Sequence, residues 1–110
     1  MRFGATVAKA IAAWDTDLRV AVFGSGGLSH FAVNENFDHQ VLAAIKANDM
    51  PTLGALPHTI LQEGTSEVKN WLGLAGAMAQ TMLAATLIDY VPCYRSEAGT
   101  GNAMAFMSWQ

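Results

Sequence analysis

The sequence contains few charged residues, one cysteine and three prolines. Charged residues account for only 14% of its 110 positions, and the few basic ones are scattered, which excludes the clustered positive charge that nucleic-acid binding needs. With Cys93 alone, no intramolecular disulfide can form, so we expect a reducing, cytoplasmic setting. Lys9 interrupts the first apolar residues too early for the core of a signal peptide, so we expect no export signal.

Apolar residues, by contrast, are abundant. They make up 52% of the chain, which excludes a disordered protein and exceeds what a lone small domain needs to bury. The longest stretch without charge, residues 70–88, approaches the length of a membrane helix. Its pattern changes midway from helix-like to strand-like, which favours a buried helix followed by a buried strand. We therefore expect one globular domain or a part of one, without a membrane span.

Four segments have the periodicity or the start signals of helices. Apolar residues at steps of three and four predict a first helix over residues 3–14. Asn34 predicts the cap of a second helix that stops at Asn48. Pro51 opens a short third turn, and the hydroxyl and acidic residues of segment 64–67 predict the start of a fourth helix.

Three apolar runs predict strands, at residues 18–23, 84–90 and 103–109. The first enters a tight glycine loop, and Pro92 is expected to end the second. A loop over residues 96–102 precedes the third, which we expect at an edge of the sheet or as a closing segment. Strands separated by helices predict an α/β fold.

The glycine loop and the histidine after it bear on function. Residues 24–29 lack the third glycine of a dinucleotide-binding loop, and no helix follows them at once. Phe23 stands where a nucleophile elbow around Ser25 needs glycine, so the sequence does not support a hydrolase. His30 lies where α/β folds place their chemistry, and it is either an acid–base residue or a loop histidine satisfied by the backbone.

Glu67, His39 and His58 are the other candidate metal ligands in the sequence. Glu67 at a helix start is either a metal ligand that the helix keeps ionised or an ordinary first-turn acid. An iron facial triad needs two histidines and one carboxylate. His39 lies on the polar side of the second predicted helix and His58 follows Pro57, so both are expected at the surface without convergent geometry.

Three segments, taken together, resemble one enzyme family. They are Arg19 to Phe31 with its Gly-Gly-Leu-Ser-His sequence, Gly64 to Trp71 with its Gly-Thr-Ser-Glu sequence, and Tyr94 to Asn102. They resemble the class III extradiol ring-cleavage dioxygenases, typified by the catalytic β subunit of protocatechuate 4,5-dioxygenase. Within that class they resemble most closely the gallate and 3-O-methylgallate branch.

The resemblance covers essentially the whole of this chain, but it matches only the C-terminal portion of the longer proteins of the family. It implies that residues 1–110 form the C-terminal part of one layered α/β catalytic domain, with a mixed sheet and flanking helices. It also implies a non-haem Fe(II) dioxygenase that opens the ring of a catecholic aromatic acid, protocatechuate-like or gallate-like, with O2. By motif match, Glu67 is an iron ligand and His30 is the catalytic histidine that does not bind iron.

The resemblance implies further roles. Gly26 and Gly27 are expected to let the backbone approach the substrate, and Thr100 and Asn102 to bind a ring carboxylate. The family's two histidine ligands have no counterpart here, so the isolated chain is expected to be inactive and to form a homo-oligomer or to associate with a chain or segment supplying the missing N-terminal half. The alternative is a truncated or non-catalytic chain of the same fold that acts as a binding or assembly subunit.

Overall fold

The computed structural model describes all 110 residues and consists of four α-helices, two 3-10 turns and one sheet. The helices are α1 (Arg2–Ala13), α2 (Glu35–Lys46), α3 (Met50–Gly54) and α4 (Val68–Met78), and the strands are β1 (His30–Ala32), β2 (Ala85–Tyr94) and β3 (Thr100–Trp109). The 3-10 turns are Ile60–Gln62 and Gly64–Glu67. Helices and a sheet in one chain confirm the predicted α/β fold class.

Helices α1 and α4 pack closely because glycines lie at their contact. A Cβ atom at Gly4 would overlap the carbonyl oxygen of Gly73, and one at Gly76 would lie 2.5 Å from the carbonyl oxygen of Met1. Helix α4 is therefore closely packed, as its content of small residues predicts.

The ends of α2 follow the signals in the sequence. The side chain of Asn34 accepts a hydrogen bond from the Phe37 amide at 3.0 Å, which caps the helix start. Asn48, with φ of 55°, adopts the left-handed conformation just after the helix. Between these ends the helix buries an apolar face against the core: Phe37, Val41, Leu42, Ala44 and Ile45.

The sheet is antiparallel throughout, whereas the resemblance implies a mixed sheet, and β3 is its central strand, between β1 and β2. The prediction that this strand lies at an edge is therefore wrong. Ala103 and Ala105 face the core beneath α2, so Asn102, Met104 and Phe106 face the other side. One face of the central strand therefore packs on the core, and its other face remains open.

Three further details of the strands differ from the predictions. Residues 18–23 form no strand, and residues 19–24 make no main-chain hydrogen bond, because none of the three strands of the sheet pairs with them. Pro92 does not end β2 but pairs with Ala103, which an edge strand tolerates because an outward-facing N–H is not needed. The predicted loop is shorter, since β3 already begins at Thr100.

The molecule is elongated and keeps much apolar surface exposed. Its extents are 52 × 25 × 20 Å and its radius of gyration is 14.7 Å, against about 13 Å for a compact chain of this length. Large apolar side chains are exposed in several segments, among them Phe23 at 88% and Met82 at 101%. None of the helices has the length and apolar character needed to cross a membrane.

Candidate functional site

His30 and Glu67, which lie far apart in the sequence, meet in the structure. His30 begins β1, and Glu67 is the last residue of the 3-10 turn before α4. The Nε2 atom of His30 lies 3.1 Å from Oε2 of Glu67. The imidazole is 20% exposed and the carboxylate 48% exposed, so both groups are accessible to a small molecule.

The glycine loop before His30 is held mainly by the first turn of α4. The amide of Gly27 donates to Oε2 of Glu67 at 2.8 Å. The indole N–H of Trp71 donates to the carbonyl of Gly26 at 3.0 Å, and the side-chain Nδ2 of Asn70 donates to the carbonyl of Ser25 at 2.6 Å. Two of the three segments that carry the family resemblance are therefore joined by direct hydrogen bonds.

The loop needs glycine at two positions. Gly26 has φ of 131°, a conformation that other residues rarely adopt, and a Cβ atom there would lie 2.9 Å from Cβ of Glu67. A Cβ atom at Gly27 would lie 2.8 Å from both the carbonyl oxygen of Ala103 and Cε1 of His30. The missing side chains thus make room for the protein's own His30 and Glu67.

The His30 ring and backbone are each oriented by a neighbour. Nδ1 lies 2.7 Å from the carbonyl oxygen of Leu28, and the amide of His30 donates to Oγ1 of Thr65 at 3.2 Å. The prediction that a hydroxyl of segment 64–67 caps the following helix is wrong. Helix α4 begins at Val68 with Glu67 in the cap position and has no side-chain cap, while the Thr65 hydroxyl accepts from the His30 amide.

The contacts of His30 define where its protons lie. A carbonyl oxygen only accepts hydrogen bonds, so Nδ1 beside the Leu28 carbonyl carries a hydrogen. Nε2 faces the Glu67 carboxylate, and a protonated imidazole donates to both acceptors at once. When the Nε2 proton leaves, Nδ1 keeps its own, and Nε2 becomes a free base that faces the site. This arrangement suits an acid–base residue.

The residue after His30 is strained. Phe31 has φ of 65°, the left-handed region that a bulky side chain seldom occupies, and it is 73% exposed. Its ring packs on Gly64, where an added Cβ would overlap the ring atoms. Strain of this kind concentrates at functional sites, and here it adjoins both segments of the site.

Asp38, which was not predicted from the sequence, supports the loop from the other side. This carboxylate on α2 is fully buried and accepts hydrogen bonds from Ser29 and from the hydroxyl of Tyr90. Burial, followed by the hydrogen bond to Asp38, raises the pKa of Tyr90, so the phenol stays protonated and keeps donating. The signal was present in the sequence, since an acid at position 38 lies on the same helix face as Val41 and Ile45.

A cleft of about 630 Å³ contains His30, Glu67 and Asn102. Oδ1 of Asn102 is buried without a hydrogen-bond partner, and Nδ2 lies 3.4 Å from the sulfur of Met104. Gly26 and Gly27 also line this cleft. Thr100 does not line it, and its hydroxyl lies 2.7 Å from the hydroxyl of Ser96.

Glu67 fits one position of an iron site, but the chain does not fit a complete one. Both contacts of its carboxylate use Oε2, which leaves Oε1 without a protein partner. No group of three His, Cys, Asp or Glu side chains is placed to hold a metal ion. His39 is exposed on α2 with its ring centroid 4.6 Å from that of Tyr90, and His58 is exposed in a connection, so neither joins Glu67.

One comparison with known proteins gives a match. A family model described as the catalytic LigB subunit of aromatic ring-opening dioxygenase matches residues 1–104. The match includes His30, Glu67, Asn102 and the glycine loop. No curated protein and no solved structure matches the chain.

Proposed function

The chain belongs to the LigB family of catalytic subunits of aromatic ring-opening dioxygenases, and from this premise we propose that it takes part in extradiol ring cleavage. The proposed substrates are O2 and a catecholic aromatic acid, protocatechuate-like or gallate-like. Within the class, we propose the gallate and 3-O-methylgallate branch. The observation that carries the proposal is the approach of His30 to Glu67, at 3.1 Å, in an open cleft.

His30 is the proposed acid–base residue. Its Nε2 atom faces the cleft, while its Nδ1 hydrogen is held by the Leu28 carbonyl. In the proposed role, Nε2 accepts the proton of a ring hydroxyl and later returns a proton as the ring opens. The fixed Nδ1–H bond supports this role, because the ring keeps one orientation in both protonation states.

Glu67 is the proposed carboxylate ligand of a non-haem Fe(II) ion. Bound Fe(II) would supply the site at which the two adjacent ring oxygens and O2 come together. The carboxylate supports this assignment because it is half-exposed and has one unused oxygen. We propose that two histidine ligands come from outside residues 1–110, so that this chain is the C-terminal portion of one catalytic domain and is inactive alone.

The remaining proposed contacts concern the substrate's ring and carboxylate. Asn102 supports a polar contact, since it lines the cleft and its Nδ2 group, whose one protein partner is the weakly accepting sulfur of Met104, can donate to a carboxylate. Gly26 and Gly27 offer backbone beside His30 that a flat ring can approach. Thr100 stays a proposed contact from the motif match alone, since its hydroxyl lies beside Ser96.

The test replaces the two central side chains in the protein that contains the whole catalytic domain. The His30→Ala variant is expected to keep its iron and to lose about 10²–10⁴-fold in ring-cleavage rate, which is the usual contribution of acid–base catalysis. The Glu67→Ala variant is expected to lose iron. Oxygen uptake with gallate and protocatechuate, together with an iron assay, measures both effects.

Matched controls are His58→Ala and Glu97→Ala, since both side chains are exposed and remote from the cleft. Both controls are expected to keep iron content and activity. Normal turnover by the His30 variant would disprove the catalytic assignment. Stoichiometric iron bound tightly by the 110-residue chain alone would disprove the proposal that its ligand set is incomplete.

A second candidate function is a non-catalytic binding or assembly subunit of the same fold. It is favoured because Glu67 is the one proposed metal ligand in this chain, and because segment 18–23 exposes apolar side chains. In this case the chain would form a homo-oligomer or would pair with another chain, and its complex would take up no oxygen. For either function, the unpaired and exposed Cys93 is compatible with the proposed cytoplasmic setting.

A further inference from the structure

Asp38 is the one ionisable side chain that the structure buries completely. An ionised carboxylate in the interior is destabilising unless hydrogen-bond donors surround it. Asp38 has three such donors. Oδ1 accepts from the Ser29 amide at 2.9 Å, and Oδ2 accepts from the Ser29 hydroxyl and the Tyr90 hydroxyl, each at 2.7 Å.

Two of these three donors belong to Ser29, the residue immediately before His30. The Ser29 hydroxyl also accepts from the Asn34 amide at 2.9 Å, so the hydroxyl has a fixed direction. On the opposite side, β3 holds the same backbone. The Leu28 amide donates to the Ala103 carbonyl, and the Ala103 amide donates to the Ser29 carbonyl, each at 2.9 Å. The Leu28–Ser29 peptide is thus clamped between α2 and β3.

This peptide orients the imidazole. The Leu28 carbonyl lies 2.7 Å from Nδ1 of His30, and this contact directs Nε2 towards Glu67 and the cleft. A rotation of the peptide would move the carbonyl and release the ring. Asp38 therefore reaches His30 through Ser29 and the Leu28 carbonyl, without touching the cleft itself.

We propose that Asp38 is a positioning residue for His30, which fixes the Leu28 carbonyl through Ser29 and so sets the orientation and tautomer of the imidazole. This inference rests on the proposed function only in that it treats His30 as the group that transfers the proton. It assigns a role to a residue that does not line the cleft. In this role Asp38 affects the rate of the chemical step and not the binding of substrate.

Three substitutions separate positioning from simple stability. Asp38→Asn keeps the volume and one acceptor but turns an N–H₂ group towards the hydroxyls of Ser29 and Tyr90. Ser29→Ala removes the hydroxyl on the path to His30. Tyr90→Phe removes the donor from β2 but leaves both Ser29 donors of the same carboxylate in place, and serves as the matched control.

The experiment measures kcat and KM for ring cleavage by the protein with its whole catalytic domain, together with its free energy of unfolding. Asp38→Asn and Ser29→Ala are expected to lower kcat by about tenfold or more with little change in KM, because a misplacement of about 1 Å can cost about 10²-fold in rate. Tyr90→Phe is expected to lose stability but to keep kcat. If Tyr90→Phe lowered kcat as much as the other two variants, so that kcat followed the loss of stability, the proposal would be overturned.

A second readout does not depend on activity. The nitrogen chemical shifts of the His30 imidazole report which nitrogen carries the proton and whether the Nδ1 hydrogen bond persists. They are expected to change in Asp38→Asn and Ser29→Ala and to stay unchanged in Tyr90→Phe. If the parent protein cleaves no ring, the proposed function fails, and these shifts alone decide the positioning role. Unchanged shifts in Asp38→Asn would then refute it.

Discussion

The two tyrosines of the chain both donate to carboxylates of α2. The Tyr90 hydroxyl donates to Asp38 at 2.7 Å, and the Tyr94 hydroxyl donates to Glu35 at 2.5 Å. Burial, followed by the bond to Asp38, raises the pKa of Tyr90, and the bond to Glu35 raises the pKa of Tyr94. A phenolate in either place would face a negative charge, so both bonds join β2 to α2 only while the phenols are protonated.

Stability is therefore expected to decline in alkali. A tyrosine in the unfolded chain ionises around pH 10.0, whereas both native phenols keep their protons to higher pH. The two hydrogen bonds contribute fully to the free energy of unfolding below pH 10.0. Their contribution falls as the pH rises above 10.0, because the unfolded state then binds fewer protons than the folded state. The loss from Tyr90 is at most about 1.4 kcal/mol per pH unit. Urea unfolding on both sides of pH 10.0 measures it.

The Tyr90→Phe variant provides the control for this prediction. It has no phenol at position 90, so its free energy of unfolding should decline less steeply above pH 10.0 than that of the parent chain. Tyrosinate absorbance supplies an independent measurement, since the folded parent should ionise its phenols at higher pH than the urea-unfolded chain. Coincident absorbance curves for folded and unfolded chains would show that neither hydrogen bond perturbs its tyrosine.

At the scale of elements, the contact between α1 and α4 depends on which glycine faces the other helix. A Cβ atom at Gly4 would overlap the Gly73 carbonyl, whereas the nearest atom to a Cβ at Gly73 lies 4.0 Å away, in the ring of Phe3. Gly4→Ala is therefore expected to destabilise the protein by about 1–3 kcal/mol through overpacking. Thermal or urea unfolding measures the change.

Gly73→Ala is the matched control, since it makes the same chemical change in the facing helix. It removes a glycine from a helix interior without a clash, and alanine is favoured over glycine there by about 1 kcal/mol. The control is expected to be as stable as the parent or more stable. A Gly4→Ala variant as stable as the control would show that the two helices do not approach as closely as the structure indicates.

The elements also show what the sequence can predict. Helix α2 was predictable because both of its ends carry their signals within the chain, Asn34 at the start and Asn48 after the end. Segment 18–23 was not, because its β-forming residues become a strand only beside another strand, and none of the chain's own strands lies there. Local signals act within a helix, whereas a strand depends on residues distant in sequence.

The candidate site shows the same contrast between local sequence signals and contacts between distant residues. His30 and Glu67 were identified by motif match, and their short separation required the fold that brings residues 30 and 67 together. Asp38 was missed because no motif marks it and its role arises from contacts with Ser29 and Tyr90. Helical spacing already places Asp38 on the face of α2 that is buried, but only the packed structure shows which residues it contacts.

At the scale of the whole molecule, segment 18–23 combines unpaired backbone with exposed apolar side chains. Leu18 is 66% exposed, Val20 45% and Phe23 88%, and residues 19–24 make no main-chain hydrogen bond. Unpaired backbone with apolar side chains is a template for pairing with another strand. Such a surface is rare on a monomeric protein and common where another chain or segment docks.

The isolated 110-residue chain is therefore expected to self-associate as its concentration rises, and sedimentation velocity measures this. Replacing Val20 and Phe23 by lysine should shift the chain towards monomer, because charged side chains oppose strand pairing and remove the apolar surface. The control is Met82→Lys, which adds a charge at a fully exposed apolar side chain in a turn and should leave association unchanged. A parent chain that stays monomeric at every concentration, or a control that dissociates as fully as the double variant, would show that segment 18–23 does not drive association.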